Sequence, residues 1–213
     1  MNKRTECSHE ITSGKEEQCL PYHFVVAQID RALAEKKRKF PSKDCQILVA
    51  IDGMCGSGKT TLGEFLSQIY DCNLFHMDDF FLRPEQRTAE RMAQDGGNVD
   101  YERFQREILN SISDPHGFSY RVYDCKSQSL NKTITVPWKS LNIIEGSYSQ
   151  HPYFGKIYDV RFFYEIAQEE QMRRICLRNG EKMAERFRTE WIPKENRYFQ
   201  TFQIKEQSIC ISC

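Results

Sequence analysis

The chain is 213 residues long, with 30 basic and 30 acidic side chains and a formal net charge of zero. That balance gives no support to nucleic acid as a partner. The longest clean apolar run, Ile47 to Ile51, falls far short of the roughly 20 residues that cross a bilayer, so no membrane partner is expected. The length suits one α/β domain with a real core and a small appendage.

The N-terminus, Met1 to Gln18, is polar and charged and lacks the apolar stretch of a secretory signal. Residues 1–45 read as an N-terminal extension with one amphipathic helix over about 22–38. Its apolar stripe is Val25, Val26, Ile29 and Leu33; it ends in Lys36-Lys37-Arg38-Lys39, with Pro41 as the stop. The nine cysteines are scattered, the tightest pair being Cys210 and Cys213 at the end of the chain. That spacing suits neither a zinc site nor a small disulfide scaffold. With the motif that follows, it implies a reducing, cytoplasmic setting.

Ile47-Leu48-Val49-Ala50-Ile51 reads as a buried strand, and Leu62, Phe65, Leu66 and Ile69 as the stripe of a helix. Between them stands Gly53-Met54-Cys55-Gly56-Ser57-Gly58-Lys59-Thr60-Thr61, which fits the phosphate-loop pattern G-x-x-x-x-G-K-[ST] at every fixed position. Strand, glycine loop and helix N-terminus together make an anion site, because backbone N–H groups and the helix dipole converge there. Lys59 is placed to reach the β- and γ-phosphates of ATP, and the Thr60 hydroxyl to bind Mg²⁺. Oxidation of Cys55 could block the loop; the plainer reading is a tolerated small residue.

Leu74 to Met77 reads as a second strand ending at Asp78-Asp79, on the same sheet edge as the loop. One of these carboxylates is placed to orient and deprotonate an alcohol. Residues 82–100 read as a polar loop. Phe104, Ile108, Leu109 and Ile112 mark a helix, and Ser119–Tyr123 with Thr133–Val136 a strand pair. Leu141 to Ile144 is a third core strand ending at Glu145, which could hold Mg²⁺ directly or through water, or activate water in an ATPase. Val160 to Tyr164 is a fourth strand; a helix follows over about 167–178 and stops at Asn179-Gly180. The arginine-rich stretch beyond it, about 179–192, reads as a mobile lid able to neutralise charge on a transferring phosphoryl group, or else as a solvated helix face. Pro193 opens a further helix, and Ser208–Ile211 is a last strand. Alternating strands and helices predict a three-layer α/β/α domain over 46–213. Its sheet is mostly parallel and five-stranded, with helices on both faces, a small β-hairpin cover and the lid.

The chain resembles P-loop kinases of the phosphoribulokinase/uridine kinase group over about residues 46–211. The resemblance is carried by the loop, His76-Met77-Asp78-Asp79-Phe80-Phe81, Gly97-Asn98-Val99-Asp100-Tyr101, Tyr123-Asp124, Ile143-Ile144-Glu145-Gly146 and Glu185-Arg186-Phe187-Arg188. It implies that Asp78 is the base for a ribose 5′-hydroxyl, that Phe81 and Tyr123 lie beside the acceptor, and that Asp100 grips ribose hydroxyls. It implies lid roles for Arg178 in catalysis, Arg186 on the nucleotide and Arg188 on the acceptor. Gln128 stands where uridine kinases place a base-reading His. The expected activity is ATP- and Mg²⁺-dependent phosphorylation of a small-molecule alcohol, with the 5′-hydroxyl of uridine or cytidine foremost. Nicotinamide riboside, pantothenate or a sugar phosphate is the alternative within kinases, and a nucleotide-binding regulatory ATPase the alternative outside them. A homo-oligomer is compatible with this reading.

Overall fold

A computed structural model describes residues 16–41 and 45–212; the expected polar stretch before Glu16, with Cys7, lies outside them, as does Cys213. Helix α1 (Glu16–Lys39) buries Val25 and Ile29 completely. Its last turn is Lys36–Lys39, a favourable place for cations at a helix C-terminus, and Lys36 Nζ reaches Asp159 at 2.7 Å. No helix among the described residues is long and apolar enough to cross a membrane.

Strand β1 (Ile47–Gly53) leads through the glycine loop into α2 (Lys59–Ile69), and β2 (Cys72–His76) follows. The second strand thus starts two residues earlier and ends one residue earlier than expected: Met77 opens a 3₁₀ turn, Met77–Phe80, which carries Asp78 and Asp79. The segment 82–100, read as loop, contains a 3₁₀ turn at Pro84–Gln86 and a helix α3 (Ala89–Ala93). Thr88 caps α3 by accepting from the Arg91 N–H, a local bond that the glycine and proline content of the segment concealed. Helix α4 (Tyr101–Phe104) passes into a π-type turn, Gln105–Leu109. Strands β3 (Phe118–Asp124) and β4 (Ser129–Val136) form an antiparallel hairpin with a register shift at Val122/Tyr123. Then come β5 (Leu141–Glu145), β6 (Val160–Glu165), α5 (Gln168–Asn179), α6 (Glu181–Arg186), a π-type turn (Phe187–Trp191), α7 (Ile192–Thr201) and β7 (Ile209–Ser212).

The main sheet has the order β2-β5-β1-β6-β7, and its pairings are all parallel. Its two faces sort the strand residues by period 2. Ile47, Val49, Ile51, Leu141, Ile143, Phe162 and Tyr164 join α1 and α2 in one apolar cluster. Phe75, Ile144 and Phe163 join Phe80, Phe104, Tyr198 and Phe199 in the other. Each fully buried side chain of this kind contributes about 1.5–3 kcal/mol through removal of apolar surface from water. The N-terminal helix therefore closes one face of the sheet, while α4, the hairpin and α7 close the other. The strand order turns at β1, so the carboxyl ends of β1, β2 and β5 open onto one crevice, where such sheets bind ligands.

Candidate active site

The glycine loop is shaped by contacts that exclude side chains. Gly53 has φ +136°, and a Cβ there would stand 2.2 Å from the Tyr164 carbonyl oxygen. Gly58, at φ +107°, is the N-cap of α2. Lys59 is buried and donates to the carbonyls of Gly53 (2.7 Å) and Met54 (2.8 Å).

Three side chains outside the motif brace this loop. Asp52, fully buried, accepts from the N–H groups of Gly53 (2.7 Å), Tyr148 (3.2 Å) and Gln150 (3.0 Å) and from Tyr198 Oη (2.8 Å). Burial pushes its carboxyl up to about 6, while these donors and Lys59 pull it down. Glu195 of α7 accepts from the Cys55 N–H at 3.0 Å and from Ser147 Oγ at 2.8 Å. Gln171 Nε2 donates to the Cys55 carbonyl at 2.9 Å. Burial, then the Glu195 charge, pushes the Cys55 thiol well above its ordinary range, so the thiolate that oxidants attack is disfavoured. None of these braces belongs to a recognisable motif; the one local signal is an Asp inside a buried apolar strand.

At the neighbouring strand ends the parallel register sets His76 beside Glu145. Thr60 Oγ1 donates to Glu145 Oε1 at 3.1 Å, and His76 Nδ1 to the same oxygen at 2.6 Å. That bond raises the His76 pKa, against burial. Thr60 and Glu145, expected to share a cation, are therefore in contact. A hydroxyl and one carboxylate are hard oxygen donors of the kind Mg²⁺ takes when nucleotide phosphates and water complete its shell. Among the described residues no group of three or more His, Cys, Asp or Glu is gathered to hold a metal ion without such help.

The two aspartates of the 3₁₀ turn part ways. Asp79 is tied down: Tyr120 Oη donates to its Oδ2 (3.1 Å) and Arg103 Nη2 to its carbonyl (2.6 Å). Asp78 is exposed in the 3₁₀ turn that follows β2. Displacement of solvent by the surrounding protein, then the Glu145 charge, raises its pKa, and Lys59 opposes them.

The remaining acceptor candidates are held by the 82–128 region. Asp100 is buried and caps α4, accepting from the Arg103 N–H (3.0 Å) and Gln86 Nε2 (2.9 Å). It also lines a cavity of about 360 Å³ with Leu82, Arg83 and Arg106. Phe81 is half-buried and bridged to Val99. Tyr123 is buried, with its hydroxyl accepting from Arg87 Nη2 at 3.0 Å. Gln128 is exposed at the hairpin tip, in the left-handed region at φ 54°.

The arginines expected in the lid have partners close by in the chain. Arg178 donates to Asn179 (2.8 Å), Arg186 pairs with Glu190 (3.2 Å) and Arg188 with Glu185 (3.0 Å). Arg178 and Arg186 also lie over the rings of Phe187 and Trp191. The stretch is helical, and spacings of four and three residues give Arg186 and Arg188 their local partners. The arginine at the loop is Arg174, whose Nη1 donates to the Ser57 carbonyl at 3.2 Å.

Residues 55–119 match the family model of shikimate kinase, a minority of the chain. The bifunctional shikimate kinase/3-dehydroquinate synthase of Thermotoga maritima is 32% identical over 60 residues, 28% of this chain and 12% of that protein. The match thus spans a small part of that longer relative. A solved structure described as a possible uridine kinase, from Bacillus stearothermophilus, is similar with a TM-score of 0.60 and 19% identity, covering 87% of this chain and 99% of that one. D-glycerate 3-kinase from Cryptococcus neoformans is similar with a TM-score of 0.58 and 14% identity, covering 80% and 87%. Likeness at these identities establishes architecture: the chain has the fold of the P-loop kinases.

Proposed function

We propose that the protein is an ATP-dependent kinase that phosphorylates the hydroxyl of a small molecule. The observation that carries this reading is the position of Asp78. It is an exposed aspartate in the turn that follows β2, and the phosphate loop and the Thr60–Glu145 pair stand on the same sheet edge. Lys59 and the loop amides bind and orient the ATP phosphates, and Mg²⁺ held at Thr60 and Glu145 would offset their charge. Asp78 accepts the acceptor's hydroxyl proton at its carboxylate. The resemblance noted in the sequence favours a nucleoside 5′-hydroxyl, uridine or cytidine, whereas the names of the relatives add shikimate and D-glycerate as acceptor types.

The test is ADP release from ATP and Mg²⁺ over an acceptor panel of nucleosides, hydroxy acids and sugar phosphates. Acceptor-dependent release, abolished in Asp78→Asn, is expected. A slow release that ignores every acceptor and survives Asp78→Asn would instead identify a regulatory ATPase.

A further inference from the structure

Arg87 lies where the 82–100 segment meets the hairpin. Its Nε donates to the Leu82 carbonyl at 3.0 Å and its Nη2 to Tyr123 Oη at 3.0 Å. A carbonyl and a buried tyrosine thus fix the guanidinium plane while occupying two of its five N–H groups. Its neighbours are differently placed. Arg83 has Glu85 at 3.1 Å, Arg91 has Glu102 at 2.7 Å, Arg103 has Asp100 at 3.6 Å and Arg121 has Glu107 at 2.9 Å. Among the described residues, Arg87 has no carboxylate partner of this kind.

Arg87 is exposed and meets the acceptor side of the crevice through Tyr123, one of the residues expected beside the acceptor. Burial, then Asp78, pushes the Cys125 thiol up, and Arg87 pulls it down; one side chain feels both the candidate base and this guanidinium. An acceptor seated against Tyr123 would displace water from the exposed guanidinium of Arg87. Desolvating a charge without a counter-ion is unfavourable. A neutral nucleoside supplies none; a carboxylate or phosphate accepts from the fork in a charge-assisted, bidentate arrangement.

We propose that Arg87, positioned by Tyr123, is the anion-reading residue of the acceptor site, and that the acceptor is a small alcohol bearing a carboxylate or phosphate. The proposal rests on the kinase reading for the location of the acceptor, and its test separates the two.

Binding is measured by calorimetry on the full chain with Mg²⁺ and a non-hydrolysable ATP analogue. The carboxylate arm uses D-glycerate, shikimate and pantothenate; the phosphate arm uses ribose 5-phosphate; uridine and cytidine are the neutral arm. The expected result is binding in one anionic arm and none in the neutral arm. Arg87→Gln should weaken that binding by about 10- to 100-fold, as for loss of hydrogen bonds to a charged group, with Arg87→Lys in between and the affinity for the ATP analogue unchanged in both. Uridine or cytidine binding as tightly as the best anion, no binding in either anionic arm, or an affinity indifferent to Arg87→Gln overturns the proposal. An anion that binds through Arg87 but is never phosphorylated from ATP leaves the subsite standing and removes the kinase reading instead.

Discussion

At the proposed donor end of the crevice, the contiguous residues Gly53 to Thr61 form a glycine loop with a buried lysine, and Asp52, Gln171 and Glu195 hold that loop in place. At the acceptor end no contiguous run does the work. Arg103 ties the carbonyl of Asp79 to that of Arg121, Tyr120 reaches Asp79, and Arg87 reaches Tyr123. On the kinase reading the donor end would recognise a triphosphate, whose chemistry is the same in every ATP, so a local backbone shape would suffice. On the same reading the acceptor end would have to suit one particular molecule, and it is assembled from a 3₁₀ turn, an irregular segment and a hairpin that can each vary alone. The difference teaches that identity of the donor and identity of the acceptor are carried by separately adjustable parts.

The sharpest way to break that division is to disable each end in turn. Asp78→Asn should lower kcat by roughly 10²- to 10⁴-fold, the usual worth of a positioned general base, with ATP affinity intact. Lys59→Met should weaken ATP binding and turnover together while leaving acceptor binding in place. Because protein surroundings and Glu145 raise the Asp78 pKa, and the base must be ionised to act, the acid limb of kcat/KM should fall above the ordinary 3.8 of a free Asp. An Asp78→Asn enzyme that loses ATP affinity as severely as Lys59→Met would end the two-part description.

A smaller effect is expected from behind the loop. Glu195→Ala leaves the Cys55 N–H and the Ser147 hydroxyl without their acceptor, which costs about 1–3 kcal/mol where such groups are buried. Urea unfolding should show a lowered midpoint, and ATP should bind more weakly, while the acceptor KM stays put. Glu195→Gln keeps one carbonyl acceptor and should recover part of the loss. A raised acceptor KM with unchanged ATP affinity would show that Glu195 serves the wrong end for this account.

The donor half was legible because its signals are local. Loop, flanking strand and helix lie within one stretch of chain, and Thr60 meets Glu145 because β1 and β5 pair in register. The period-2 and helical apolar patterns likewise located the core strands and most helices. What stayed hidden depends on contacts across many residues. Asp52, Glu195 and Gln171 act through tertiary hydrogen bonds to backbone, for which no spacing rule exists. Arg87 is set apart from Arg83, Arg91, Arg103 and Arg121 by having no ion pair among the described residues. The resemblance singled out Arg178, Arg186 and Arg188 for the lid, whereas Arg174 of α5 donates to the Ser57 carbonyl of the loop, a contact no spacing foretold. Asp100 was singled out for a ligand, and the folded chain also gives it a helix cap.

His151 joins the two ends, and it supplies the smallest predicted effect. Its ring stacks on Tyr101 of the acceptor side at 4.5 Å and faces Tyr198 of α7 at 6.1 Å. Nδ1 accepts from the Tyr153 N–H at 3.2 Å, so the proton sits on Nε2, which points to the Asp95 carbonyl at 3.3 Å. Protonation would turn the accepting nitrogen into a donor facing another donor, and burial already pulls the His151 pKa down to about 4. A depressed histidine leaves stability untouched above its unfolded value of 6.5; below it the unfolded chain takes up the proton first, and stability falls until the folded value is passed. Between pH 7 and pH 5.5 this removes about 1 kcal/mol. Asp52, with its raised carboxyl, acts in the opposite sense: its contribution is full below 3.8 and is lost as pH rises through about 6. The measurement is therefore a difference, the pH dependence of urea-unfolding free energy in the native chain minus that in His151→Phe. The His151→Phe chain should lose less stability on acidification than the native one. Equal slopes would mean that the junction between donor and acceptor halves carries no buried neutral histidine.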